Sequence, residues 1–76
     1  MVELTGIIKG TGAKMKVDIG ETNVTFRGAL KATVPFGAVD AEARGTLLVL
    51  RYQEHVIELA AAKKALPLAQ KIQRGG

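Results

Sequence analysis

The sequence predicts a mainly β fold with one C-terminal α-helix, arranged as a seven-stranded antiparallel bent sheet or partly open barrel that the helix caps. Three observations predict it. Apolar and polar residues alternate with period two through residue 59, as half-buried strands require, because successive side chains point to opposite faces. Beyond that point the period changes, and Ala65, Leu68, Ala69 and Ile72 fall at i, i+3, i+4 and i+7, one stripe of an amphipathic helix. Finally, no helical pattern separates the strands, and a parallel sheet would need such crossovers.

The first strand covers residues 2–9, with Val2, Leu4 and Ile8 in phase and Gly6 thinning the same face. The second, 14–19, alternates Met15, Val17 and Ile19 with Lys14, Lys16 and Asp18. A turn at 20–23 leads to the third, 24–27, which points Val24 and Phe26 inward and Thr25 and Arg27 outward. The fourth, 30–36, buries Leu30, Ala32, Val34 and Phe36; its Pro35 has no N–H for a ladder and belongs at an end, edge or bulge. In the fifth, 39–43, Val39, Ala41 and Ala43 face in while Asp40 and Glu42 face out, and Arg44 continues that outer row. The sixth, 46–52, is apolar on both sides, and a Gln53-Glu54 corner joins it by a hairpin to the seventh, 54–59. The helix spans about 61–73, and Pro67 either sits in its first turn or kinks it.

A chain of 76 residues supports one domain with a modest core. Cysteine is absent, so no disulfide or thiolate metal site can staple it. The N-terminus lacks a basic segment followed by a long apolar run, and the longest apolar stretch, Leu47 to Leu50, is too short to span a bilayer, so a cytoplasmic protein without a transmembrane segment is expected. The net charge of +4 is uneven: residues 1–31 hold five bases and three acids, 32–60 two and four, and the tail from 61 four and none.

The stretch from Met15 to Gly28 resembles the strand, turn and L-x-F-x-G strand of pleckstrin-homology-like domains, above all their compact GRAM-type and small bacterial members. Val34-Pro35-Phe36-Gly37-Ala38-Val39 is similar to their I-P-x-x-x-I step, and Ala65 to Gln73 resembles their closing helix, where small bacterial members often carry tryptophan at about the place of Leu68. The resemblance covers nearly the whole chain and implies a pleckstrin-homology-like fold and a bacterial origin. Its motifs are hydrophobic and structural, so it speaks to fold more than to function.

Catalysis finds no support. Serine and cysteine are missing and His55 is the only histidine, so no Ser/His/Asp or Cys/His arrangement exists, and no metal or cofactor is expected. His55 reads as a strand residue at a hairpin corner. Asp40, Glu42 and Arg44 read as a charge ladder. The terminal Gly75-Gly76 follows a helix rather than the strand of a ubiquitin-like modifier, and reads as a helix stop or a truncated end.

Near the N-terminus, Ile8-Lys9-Gly10-Thr11-Gly12-Ala13-Lys14-Met15-Lys16 sets paired glycines among three lysines. It is not a nucleotide loop: the glycines are two apart, Met15 takes the hydroxyl position, and a strand follows where a helix N-terminus is needed. A basic rim is the better functional reading, with Lys9, Lys14, Lys16 and Arg27 around exposed turn amides; the plain alternative is a solvated strand face. Phosphoinositide-binding pleckstrin-homology-like domains place lysines at the end of the first strand and, one residue apart, on the second, which Lys9, Lys14 and Lys16 resemble by position. Nucleic acid is not expected as a partner, because Phe26 and Phe36 are phased inward and leave Tyr52 as the sole stacking platform.

The run 46–50 argues for a protein partner. A sheet in so small a domain normally leaves one face in water, so either the helix or a second subunit must cover the other side, with Leu48 and Leu50 as the candidate self-association residues. The expected function is therefore a non-enzymatic binding or assembly module. Protein interaction or self-association into a homo-oligomer leads, and recognition of an anionic lipid or phosphate ligand by Lys9, Lys14, Lys16 and Arg27 is the alternative.

Overall fold

The computed structural model describes residues 2–75 and shows seven antiparallel strands in one curled half-barrel with a C-terminal helix. In chain order these are β1 (Val2–Ile8), β2 (Lys14–Ile19), β3 (Asn23–Gly28), β4 (Ala32–Pro35), β5 (Asp40–Arg44), β6 (Leu47–Tyr52), β7 (His55–Ala60) and α1 (Ala65–Gly75). Their order across the sheet is β4-β3-β2-β1-β7-β6-β5. Each hairpin is local, and a single long-range pairing, β1 with β7, joins the first four strands to the last three.

That joint is narrow. β1 pairs with β2 from Val2 to Ile7, yet meets β7 only through Gly6, Ile7 and Ile8. The two strands approach so closely at Gly6 that a Cβ there would strike the Glu58 carbonyl and lie 2.8 Å from Leu59 Cα. Glycine at this position permits the crossing.

The inner face carries the core. Met15, Val17, Ile19, Val24, Phe26, Leu48, Leu50, Ile57 and Leu59 are all buried there, and α1 closes it with Ala65, Leu68, Ala69 and Ile72 against β5 and β6. Each large side chain so buried contributes about 1.5–3 kcal/mol. The helix also guards the sheet edge, for Gln73 Nε2 donates to the Ala41 carbonyl of β5 at 2.6 Å. An edge carbonyl that could otherwise pair with a foreign strand is thereby occupied.

Two expected elements end differently. The fourth strand is shorter than 30–36: it stops at Pro35, and Phe36–Ala38 forms a 3-10 turn closed by Val39 N–H on the Phe36 carbonyl at 3.1 Å. Pro35 has no N–H to extend the ladder, and the turn carries Phe36 into the core. The helix begins later than residue 61. The amides of Ala61 and Ala62 both donate to the Thr46 carbonyl, at 3.0 and 2.9 Å, a 3-10 turn follows at Ala62–Lys64, and α1 proper starts at Ala65. Pro67 thus falls in the first turn of α1, where its missing N–H has no intrahelical partner to lose.

Ala62 at this junction has φ 49, a left-handed conformation that costs an L-residue about 1 kcal/mol. Ala62→Gly is expected to raise stability by a few tenths to about 1 kcal/mol, read as a higher urea midpoint at unchanged slope.

The run on β6 is apolar on both sides and finds both covers within the chain. Leu48 and Leu50 face the core, while Val49 points outward and is still only 1% exposed. Its cross-strand neighbours are Glu42 on β5 and Glu58 on β7. Glu42 is held by Arg44 Nε at 2.5 Å and approached by Arg51 at 3.9 Å, so the aliphatic stems of a charged network lie over the outer face.

The hydrogen bond from Arg44, with the charges of Arg44 and then Arg51, lowers the Glu42 carboxyl below the ordinary glutamate range. An acid depressed in this way contributes its ion pairing above the unfolded-state pKa and loses it as pH falls through the folded one. NMR titration of Glu42 is expected to give a midpoint below the ordinary glutamate value, and Arg44→Ala should return it toward that value.

Candidate anion-binding groove

The stretch from Ile8 to Lys16 forms the β1-β2 hairpin. Gly10 and Gly12 take φ of 99 and 73, the left-handed region that favours glycine. The loop's amides are largely committed. Ile8 N–H donates to the Ala13 carbonyl at 2.8 Å, Lys9 N–H to Val56 at 2.7 Å, Gly12 N–H to Ile8 at 2.9 Å, and Ala13 N–H to Thr11 Oγ1 at 3.3 Å. The hairpin thus uses these four donors to close itself and to reach β7.

The cations gather instead on the outer face of the sheet. Strand parity turns Lys14, Lys16 and Arg27 away from the core, and the β2-β3 register sets Lys16 directly opposite Arg27. With Thr5 and Ile7 of β1, which pair with Lys16 and Lys14, these side chains surround an open groove of about 520 Å³. Its remaining lining comes from Gly6, Met15 and Gly28, successive partners across the three strands. The Met15 side chain points into the core, so this row offers the groove mostly backbone.

Like charges directly opposite each other destabilise a sheet by a few tenths of a kcal/mol. Here Asp18 relieves part of that cost. Its carboxylate forms an ion pair with Arg27, Oδ2 to Nε 3.1 Å, with the Asp18 side chain 8% exposed and that of Arg27 63%. Lys14 and Lys16 have no such counterion within 4 Å among the described residues. Of the other two acids in residues 1–31, Glu3 stands opposite Asp18 in the β1-β2 register, and Glu21 lies toward the helix, 3.8 Å from Lys71.

Of the four residues expected to form the rim, three come together and Lys9 does not line the groove. Its backbone N–H donates to the Val56 carbonyl, which places it on the β7 side. The other candidate pair has a different fate: Leu48 and Leu50 are both fully buried in the core and are not available to a second chain in this fold. Tyr52 is likewise not a free platform, because its ring stacks on Phe26 with centroids 5.4 Å apart.

Sequence reasoning did not assign Thr5, Gly6, Ile7, Met15 or Gly28 to the site. Alternation on β1 could have placed Thr5 and Ile7 on the outer face, but only the register brings them beside Lys16 and Lys14. Among the described residues no three His, Cys, Asp or Glu side chains cluster as metal ligands, and no helix is long and apolar enough to cross a membrane. Compared with known family models, curated proteins and solved structures, the chain has no match.

Proposed function

We propose that this chain is a non-enzymatic binding module of pleckstrin-homology-like type, and that it recognises an anionic lipid or phosphate ligand on the outer face of β1, β2 and β3. The observation that carries this reading is the convergence of Lys14, Lys16 and Arg27 on one groove, with neither lysine having a counterion within 4 Å among the described residues. Each base near an anionic surface contributes about 1 kcal/mol, so two free lysines and a half-neutralised arginine suit a weak, reversible, salt-sensitive contact. The curled half-barrel with its terminal helix fits the fold resemblance.

The test is an amide NMR titration with inorganic phosphate and, separately, with phosphatidylglycerol vesicles. Shifts are expected at residues 5–7, 14–16 and 27–28, fading as salt rises. Lys16→Glu should weaken binding by about 2 kcal/mol, twice the contribution of one base, without changing the circular dichroism spectrum. A flat titration in both arms would sink the proposal.

Self-association is the second reading. With Leu48 and Leu50 in the core, it rests on Ile7 at 41% and Leu47 at 37% exposed, which share the outer face. Sedimentation of wild type and Leu47→Glu separates the two readings, since only self-association makes the mass depend on concentration and on Leu47.

A further inference from the structure

Resting on the anion-binding reading, we infer that the groove takes an anionic amphiphile, a single-chain alkyl or acyl phosphate or carboxylate, with its head on β2-β3 and its apolar body across β1. The charge on this face is polarised. Lys16 and Arg27 stand opposite each other on β2 and β3, Thr5 and Ile7 on β1 are neutral, Glu58 follows beside Ile7 on β7, and Glu3 and Asp18, paired across β1 and β2, mark the end beyond Thr5. An anionic head is drawn to the β2-β3 side and repelled from the far side by Glu58.

Between these poles the lining is mostly apolar, with the Ile7 side chain and the methylene stems of the lysines beside the row containing Gly6. Ile7 is 41% exposed, a large aliphatic side chain left partly in water on the groove wall. The groove's 520 Å³ lies within the size range of small-molecule pockets, roughly 300–1,000 Å³. A phosphate ion alone displaces only a few waters at about 30 Å³ each, so it would leave the apolar wall wet. A chain laid over Ile7 removes that surface from water, and each methylene fully buried tightens binding roughly fourfold.

The experiment compares inorganic phosphate, ethyl phosphate, decyl phosphate and the neutral decyl maltoside, each below its micellar concentration, by amide NMR titration of the full chain. Decyl phosphate is expected to bind at least tenfold more tightly than ethyl phosphate, and to add shifts at residues 5–7 to those at 14–16 and 27–28. Ile7→Asn, with its fold checked by circular dichroism, should abolish the chain-length gain and keep the weak phosphate response. Equal binding of inorganic, ethyl and decyl phosphate overturns this inference and leaves the anion site standing. No response to any phosphate or to phosphatidylglycerol vesicles overturns both. Decyl maltoside binding as tightly as decyl phosphate overturns the requirement for an anionic head. Binding to phosphatidylglycerol vesicles without binding to monomeric decyl phosphate overturns the groove ligand in favour of a membrane surface.

Discussion

Leu50→Lys is expected to leave the chain unfolded at every protein concentration. Leu50 is fully buried on the inner face of β6, between Ala41 of β5 and Ile57 of β7 in the register. The substitution forfeits about 1.5–3 kcal/mol of apolar burial and places an ammonium group, without a partner, where desolvation costs several kcal/mol more. A natural domain has about 5–15 kcal/mol in total, and one this small sits toward the lower end. Circular dichroism and sedimentation read the result together. A folded Leu50→Lys monomer arising from a wild-type oligomer would show instead that Leu50 lies at an interface between chains, and would contradict the packing described above.

Gly6→Val carries the second large effect, and local preference and tertiary contact disagree about its sign. Valine is a better strand former than glycine by up to about 1 kcal/mol, so strand propensity alone favours the substitution. The structure reverses that expectation. Any Cβ at this position meets the Glu58 carbonyl and comes within 2.8 Å of Leu59 Cα, and both obstacles are backbone. Relief requires β1 and β7 to part at the one place where the two parts of the sheet are joined. A loss of about 3 kcal/mol or more is expected, at the upper end for overpacking, and urea denaturation measures it. An unchanged or higher midpoint would mean that the crossing at Gly6 is looser than the geometry implies.

These two residues show where reading along the chain succeeds and where it stops. The parity of Leu48 and Leu50 is plain from alternation, because a pleated strand has a fixed period of two. What covers them is not: a run apolar on both faces is equally compatible with a second chain and with intrachain cover. The structure supplies α1 on one side, and over Val49 on the other the network of Glu42, Arg44 and Arg51. Arg27 gives the same lesson at the groove. Its outward direction follows from the phase of Phe26, but its pairing with Asp18 depends on how β2 and β3 are aligned. Lys9 groups with Lys14 and Lys16 by positional resemblance, yet its backbone N–H donates to the Val56 carbonyl on β7 and it does not line the groove.

By itself, then, the sequence determined the seven strands to within a few residues, the side chains turned inward, the terminal helix with its buried stripe, and the outward direction of Lys14, Lys16 and Arg27. These follow from periodicity and from the backbone limits of glycine and proline, which act over a few residues. Only the tertiary structure decided the β1-β7 pairing, the closure at Gly6, the late helix start after Ala62, the burial of Leu48 and Leu50, and the groove that joins three of four candidate cations. Those depend on register and on contacts between residues far apart in the chain, which no local pattern encodes.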